Sequence, residues 1–128
     1  MPTEKTKQTI LVIDDAKESI IILNHLLKDK VDVIFTTNGE DGLFKAKADL
    51  PDLILLDISM PEMNGFDVLK KLKEDPKTQD IPVIFLTGIQ DSYYEEKGLT
   101  LGAVDYITKP FSPAVVNARI NMQLKLRR

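Results

Sequence analysis

Five residues of this chain are of types that handle metal ions and phosphate: Asp14, Asp15, Asp57, Thr87 and Lys109. Asp57 stands where the apolar run Leu53-Ile54-Leu55-Leu56 stops. A carboxylate at the mouth of a buried strand is costly to desolvate unless it has a cation or a task. Asp14 and Asp15 follow a similar run, Ile10 to Ile13, Thr87 follows Val83 to Leu86, and Lys109 comes after Val104 to Ile107. Carboxylates gathered in one place repel one another, and a hard divalent cation relieves the conflict through oxygen ligands, Mg²⁺ being the natural candidate. Lys109 can offset further negative charge, and Thr87 can donate a hydrogen bond to a phosphoryl oxygen. Together they suit the receipt of a phosphoryl group on Asp57. Taken singly, each has a plainer reading: an acid pair that caps a helix, a strand end, a solvated lysine in a turn. Their joint placement carries the chemistry.

That placement depends on the elements between them. Five apolar segments read as strands: Ile10 to Ile13, Val31 to Phe35, Leu53 to Leu56, Val83 to Leu86 and Val104 to Ile107. Most are rich in β-branched and aromatic residues. Amphipathic stretches lie between them, with Ile20, Leu23 and Leu27, then Phe66, Leu69 and Leu72, recurring at helical spacing. Leu43, Ala46 and Leu50 mark a helix before Pro51, and Asp91 caps one that runs through Leu99 to end near Gly102. Ser112 and Pro113 have the order of a helix start, with Val116, Ile120 and Leu124 as its inward stripe. Ser59 to Gly65, with Pro61, Asn64 and Gly65, is turn chemistry. The expected fold is α/β: a doubly wound (βα)5 parallel sheet of flavodoxin-like order 2-1-3-4-5 with right-handed crossovers. In that order strands one and three are neighbours at the switch point, so Asp14, Asp15 and Asp57 share one pocket.

At 128 residues the chain is one domain, expected as a polar, frayed leader over 1–7 followed by a folded domain over 8–128. A net charge of -3 and a pI near 5.2 argue against direct nucleic-acid binding. The lack of Cys rules out disulfides and thiolate metal sites. No apolar run approaches the roughly 20 residues of a membrane span, and no signal-peptide pattern opens the chain, so the expected location is cytoplasmic. No G-x-x-x-x-G-K-[ST] loop is present to make ATP a direct substrate. His25, without an acid–base partner nearby, reads as a surface or boundary residue rather than a phosphodonor, and Tyr93 and Tyr94 read as surface of the fourth helix, with a partner contact as the alternative. Lys125, Arg127 and Arg128 suit the dipole of the last helix and are too few to bind nucleic acid.

The segments Val12-Ile13-Asp14-Asp15, Asp57-Ile58-Ser59-Met60-Pro61-Glu62-Met63-Asn64-Gly65, Thr87-Gly88 and Ala103-Val104-Asp105-Tyr106-Ile107-Thr108-Lys109-Pro110-Phe111 resemble those of response-regulator receiver domains, the phosphoacceptor domains of two-component signalling. The resemblance implies that Asp57 accepts a phosphoryl group from a histidine kinase or phosphotransfer protein. It implies Mg²⁺ on Asp15 and Asp57, with Asp14 acting largely through a water and the Ser59 carbonyl as a further ligand. Thr87 and Tyr106 become the switch residues, Lys109 bridges to the phosphate, and the Lys109–Pro110 bond is cis. Ser59 and Ile89 occupy positions that tune phosphoryl lifetime.

The same resemblance implies output through the fourth helix, fifth strand and fifth helix, to an output domain or a second copy. In the family's winged-helix branch that face pairs through charges. Asp105 and Arg119 match that set, but Glu95 stands where a basic residue is usual and Val115 where an acid is. The end of the last helix, from Asn117 to Arg127, resembles members that run on into an output domain. Two other readings compete. A haloacid-dehalogenase-like phosphatase needs a second Asp where this chain has Ser59 and a nucleophile on the first strand. A receiver-like interaction domain that is not phosphorylated would not need the full acid, Thr and Lys set. A flavodoxin would need a flavin phosphate-binding loop, which is not evident.

Overall fold

The computed structural model describes residues 7–60, 62–88 and 92–127. The readings made for residues 1–6, Pro61, Ile89, Asp91, Arg128 and the Tyr93 side chain lie outside the described residues. Strands and helices alternate: β1 Thr9–Ile13, α1 Lys17–Leu27, β2 Asp32–Thr36, α2 Gly39–Asp49, β3 Leu53–Asp57, α3 Gly65–Glu74, β4 Val83–Thr87, α4 Ser92–Thr100, β5 Asp105–Thr108 and α5 Pro113–Arg127. The strands form one sheet in the order β2-β1-β3-β4-β5, every pair parallel. This is the expected doubly wound fold.

Alternation along each strand divides the core in two. Leu11, Ile13, Ile54, Leu56, Val83 and Phe85 face one side and pack against Ala46 of α2 and Val68, Leu69 and Leu72 of α3. Ile10, Val12, Leu53, Leu55, Ile84 and Leu86 face the other and pack against Leu23 and Leu27 of α1 and Val116, Ile120 and Leu124 of α5. Each of the Leu, Ile, Val and Phe side chains among them contributes about 1.5–3 kcal/mol when fully buried. The central strands β1, β3 and β4 are buried throughout, whereas the edges β2 and β5 are not. The stiffest part of the sheet therefore ends in Asp57, Thr87 and the turn that holds Asp14.

Three expectations shift. β2 starts at Asp32 rather than Val31, whose amide donates to the Leu27 carbonyl at 3.1 Å and closes the end of α1. β5 starts at Asp105 rather than Val104, which is solvent-exposed. Both Val residues have strand-forming side chains but lie just before the ladder. Leu50 does not extend the inward stripe of α2. It ends that helix in the left-handed conformation, φ 45°, with its side chain exposed. No helix among the described residues is long and apolar enough to cross a membrane.

Candidate functional site

The carboxyl edge of the sheet gathers the residues singled out above. Ile13 is level with Leu56, Asp57 with Leu86, and Thr87 with Thr108, so Asp14, Asp57, Thr87 and Lys109 emerge side by side. The Asp14 amide donates to the Thr36 carbonyl at 3.1 Å, which fixes the turn after β1. Asp14 and Asp57 are buried and Asp15 is exposed, and each offers a carboxylate oxygen within 4.8 Å of the others. Helix α1 begins at Lys17 with Ala16 as its cap residue, so neither acid occupies the capping position. Asp14 Oδ1 instead accepts from the Ala16 amide at 2.9 Å.

The loop after β3 is shaped by close backbone approach. A methyl group on Gly65 would sit 2.5 Å from the Asp57 carbonyl oxygen and 2.7 Å from Ile58 Cα, so only glycine lets α3 start here. Asn64 caps α3 by accepting from the Asp67 amide at 3.0 Å. Ser59 lies at the mouth of the site, and its amide donates to Asp57 Oδ1 at 3.1 Å. Lys109 Nζ lies 3.0 Å from Asp14 Oδ2 and 3.8 Å from Asp57 Oδ2. The Lys109–Pro110 bond is cis.

One lysine does not balance this pocket. Burial, followed by the charge of Asp14, pushes the Asp57 carboxyl up from 3.8 to about 7, against the opposing pull of Lys109 and the Ser59 amide. Asp14 Oδ2 is buried with an ion-pair neighbour but no hydrogen bond. Clustered oxygen donors with unmet negative charge fit a hard divalent cation.

Thr87 is buried, and its hydroxyl donates to Glu95 Oε2 of α4 at 3.2 Å. Sequence reading missed Glu95 as a contact of the site, because the pairing appears only once α4 is laid on β4. Tyr106 is half-buried on β5, with the Arg119 guanidinium 5.3 Å from its ring centroid. Arg119 also donates to the Tyr106 carbonyl and pairs with Asp105 Oδ1 at 3.4 Å. Asp105 and Arg119, matched in sequence to a pairing between copies, are thus paired with each other. His25 is exposed on α1, and Tyr94 is exposed at one edge while packing on Phe66 at 5.7 Å.

Residues 10–121 match the family described as response regulator receiver domain. The chain is 41% identical over 125 residues to histidine kinase P4 of Formosa agariphila, covering 98% of this chain and 9% of that protein. It is 40% identical over 117 residues to the alkaline phosphatase synthesis transcriptional regulatory protein PhoP of Bacillus subtilis, covering 91% and 48%. The solved receiver domain of the Francisella response regulator 1452 superposes with a TM-score of 0.86 at 28% identity, covering 95% and 100%. The chain therefore spans less than half the length of these two curated relatives.

Proposed function

The chain belongs to the response regulator receiver family, and we propose that it takes a phosphoryl group from a phosphohistidine onto Asp57 and reports that event through the face made by α4, β5 and α5. The observation that supports this reading is the buried Asp57 carboxylate at the end of β3, with oxygens of Asp14 and Asp15 within 4.8 Å and Lys109 Nζ at 3.8 Å.

In this mechanism an Asp57 carboxylate oxygen attacks phosphorus in line. The P–N bond of the donor breaks, and the imidazole leaves with its electron pair. Asp14, Asp15, Asp57 and the Ser59 carbonyl would hold Mg²⁺. When bound, Mg²⁺ supplies the positive charge that steadies the transferring oxygens. Lys109 follows the negative charge toward the phosphoryl group, and Thr87 donates its hydroxyl proton to a phosphoryl oxygen. Tyr106 turns inward with it, and the two movements bias the output face between two states. The donor is a histidine kinase or phosphotransfer protein in the cytoplasm. The listener is an output domain, in the same polypeptide or another, or a second copy. A phosphatase of the haloacid-dehalogenase type gains no support, because its second acid would have to stand at Ser59.

Incubation with Mg²⁺ and acetyl phosphate should add one phosphoryl group, read as intact mass, and Asp57→Asn should take none. Labelling that persists in Asp57→Asn overturns the assignment. No labelling of the wild type favours a receiver that serves only as an interaction module.

A further inference from the structure

We propose that Glu95 is a positioning residue for Thr87: its carboxylate holds the Thr87 hydroxyl on α4 and so withholds from Asp57 the donor that a phosphoryl group requires. This rests on the phosphoacceptor reading of Asp57 and adds to it a competitor built into the resting protein.

A threonine hydroxyl has one proton to give. Here it goes to Glu95 Oε2, at 3.2 Å. A hydroxyl that serves Glu95 cannot at the same time donate to a phosphoryl oxygen on Asp57, so two anionic acceptors compete for one donor. The contact is also registered by its surroundings. Phe85 and Thr87 lie two residues apart on β4 and face the same side of the sheet. Glu95 and Gly98 lie three residues apart on α4 and share a helix face.

At the second pair of positions the helix comes closest to the strand. A methyl group on Gly98 would sit 2.5 Å from the Phe85 ring, so α4 rests directly on that side chain. Phe66 packs edge-on against the same ring at 5.4 Å and against Tyr94 at 5.7 Å, with Lys97 Nζ 4.6 Å above its own ring. These contacts set the height of α4 over β4, and at that height Glu95 meets Thr87. The half-buried Glu95 thereby gains a charge-assisted hydrogen bond that it would lose when Thr87 turns away.

The test uses the full chain with Mg²⁺ and beryllofluoride, a phosphoryl mimic, followed by titration calorimetry. Glu95→Ala should bind the mimic about three- to tenfold more tightly than the wild type, the loss of one competing hydrogen bond. Glu95→Gln, which keeps an acceptor without its charge, should fall between the two. In a Thr87→Ala background, Glu95→Ala should change affinity by less than about twofold, since no hydroxyl remains to release. Equal affinity of Glu95→Ala and wild type overturns the proposal. So does tightening that persists without Thr87, which would mean that the Glu95 charge acts through space.

A ligand-free readout separates the positioning role of Glu95 from the phosphoacceptor role of Asp57. The Thr87 methyl carbon resonance, which follows the side-chain rotamer, should shift in Glu95→Ala and not in the exposed control Glu96→Ala. An unshifted resonance overturns the positioning role. A shifted resonance in a protein that binds no mimic and accepts no phosphoryl group overturns the phosphoacceptor reading instead.

Discussion

The acid pocket and the face made by α4, β5 and α5 are built in opposite ways. The acids of the pocket grow from strands that are buried along their whole length, and the loop after β3 is clamped where Gly65 meets the Asp57 carbonyl. The other face includes an edge strand and shows Tyr94, Leu99, Leu101 and Val104 to solvent. Beside the packing of Gly98 on Phe85, it carries side-chain contacts that can be exchanged: Thr87 on Glu95, Arg119 on Asp105 and Lys97 over Phe66. The proposed in-line attack tolerates little displacement of the attacking oxygen, which suits a region set by backbone and packing. A surface proposed to read differently in two states is served by contacts of small individual worth, so that a modest bias can move it.

Substitutions in each region should widen or collapse that contrast. The largest effect is expected at Gly65. Gly65→Ala forces a methyl group into backbone and should cost about 3 kcal/mol, lowering the melting temperature by about 10 °C in thermal unfolding. A loss below about 1 kcal/mol would show that the pocket loop yields as readily as the opposite face.

Next comes the strain in the pocket itself. Asp57 titrates near 7 in the fold against an ordinary 3.8, so between those values the folded protein binds the proton that the unfolded chain has released. Its contribution to stability therefore falls as pH rises from about 4 to about 7 and is constant above. Asp57→Asn should remove that slope. The variant should gain about 1–2 kcal/mol at pH 8, an amount reduced for residual solvent around the carboxyl, and close to nothing at pH 4. Denaturant unfolding without divalent metal measures it, and equal gains at both pH values would mean that the pocket is relaxed. The smallest effect belongs to the other face. Leu101→Ser, at an exposed position, should change stability by no more than about 0.5 kcal/mol in the same assay.

What could be read in advance follows the same division. Asp14, Asp57, Thr87 and Lys109 come together because alternating strands and helices, a local signal, make a parallel sheet whose strands all end at one edge, and the order β2-β1-β3-β4-β5 makes their four strands successive neighbours. The exact ladder ends were less legible. Val31 and Val104 have side chains that suit a strand, and nothing local says that pairing begins one residue later. Leu50 looks like a core residue until the helix end forces it into the left-handed region. Two facts about the site needed the fold itself: that Asp14 is buried while its neighbour Asp15 is not, and that Glu95 finds Thr87. The first depends on how the turn after β1 is held against Thr36 and Ala16, the second on how closely α4 sits over β4 where Gly98 meets Phe85.

One backbone bond gives Thr87 a particular freedom. Its carbonyl accepts from the Lys109 amide at 2.6 Å, so its main chain is tied to β5 while its hydroxyl is tied to α4. Reorienting the hydroxyl is then a torsion about one Cα–Cβ bond between staggered wells, with the strand left in place. Exposed side chains flip in picoseconds to nanoseconds, and the buried Thr87 is slowed by what packs around it. The pace of this residue depends on that packing and on how long its partner on α4 keeps hold, and the sheet beneath need not unravel to let it turn.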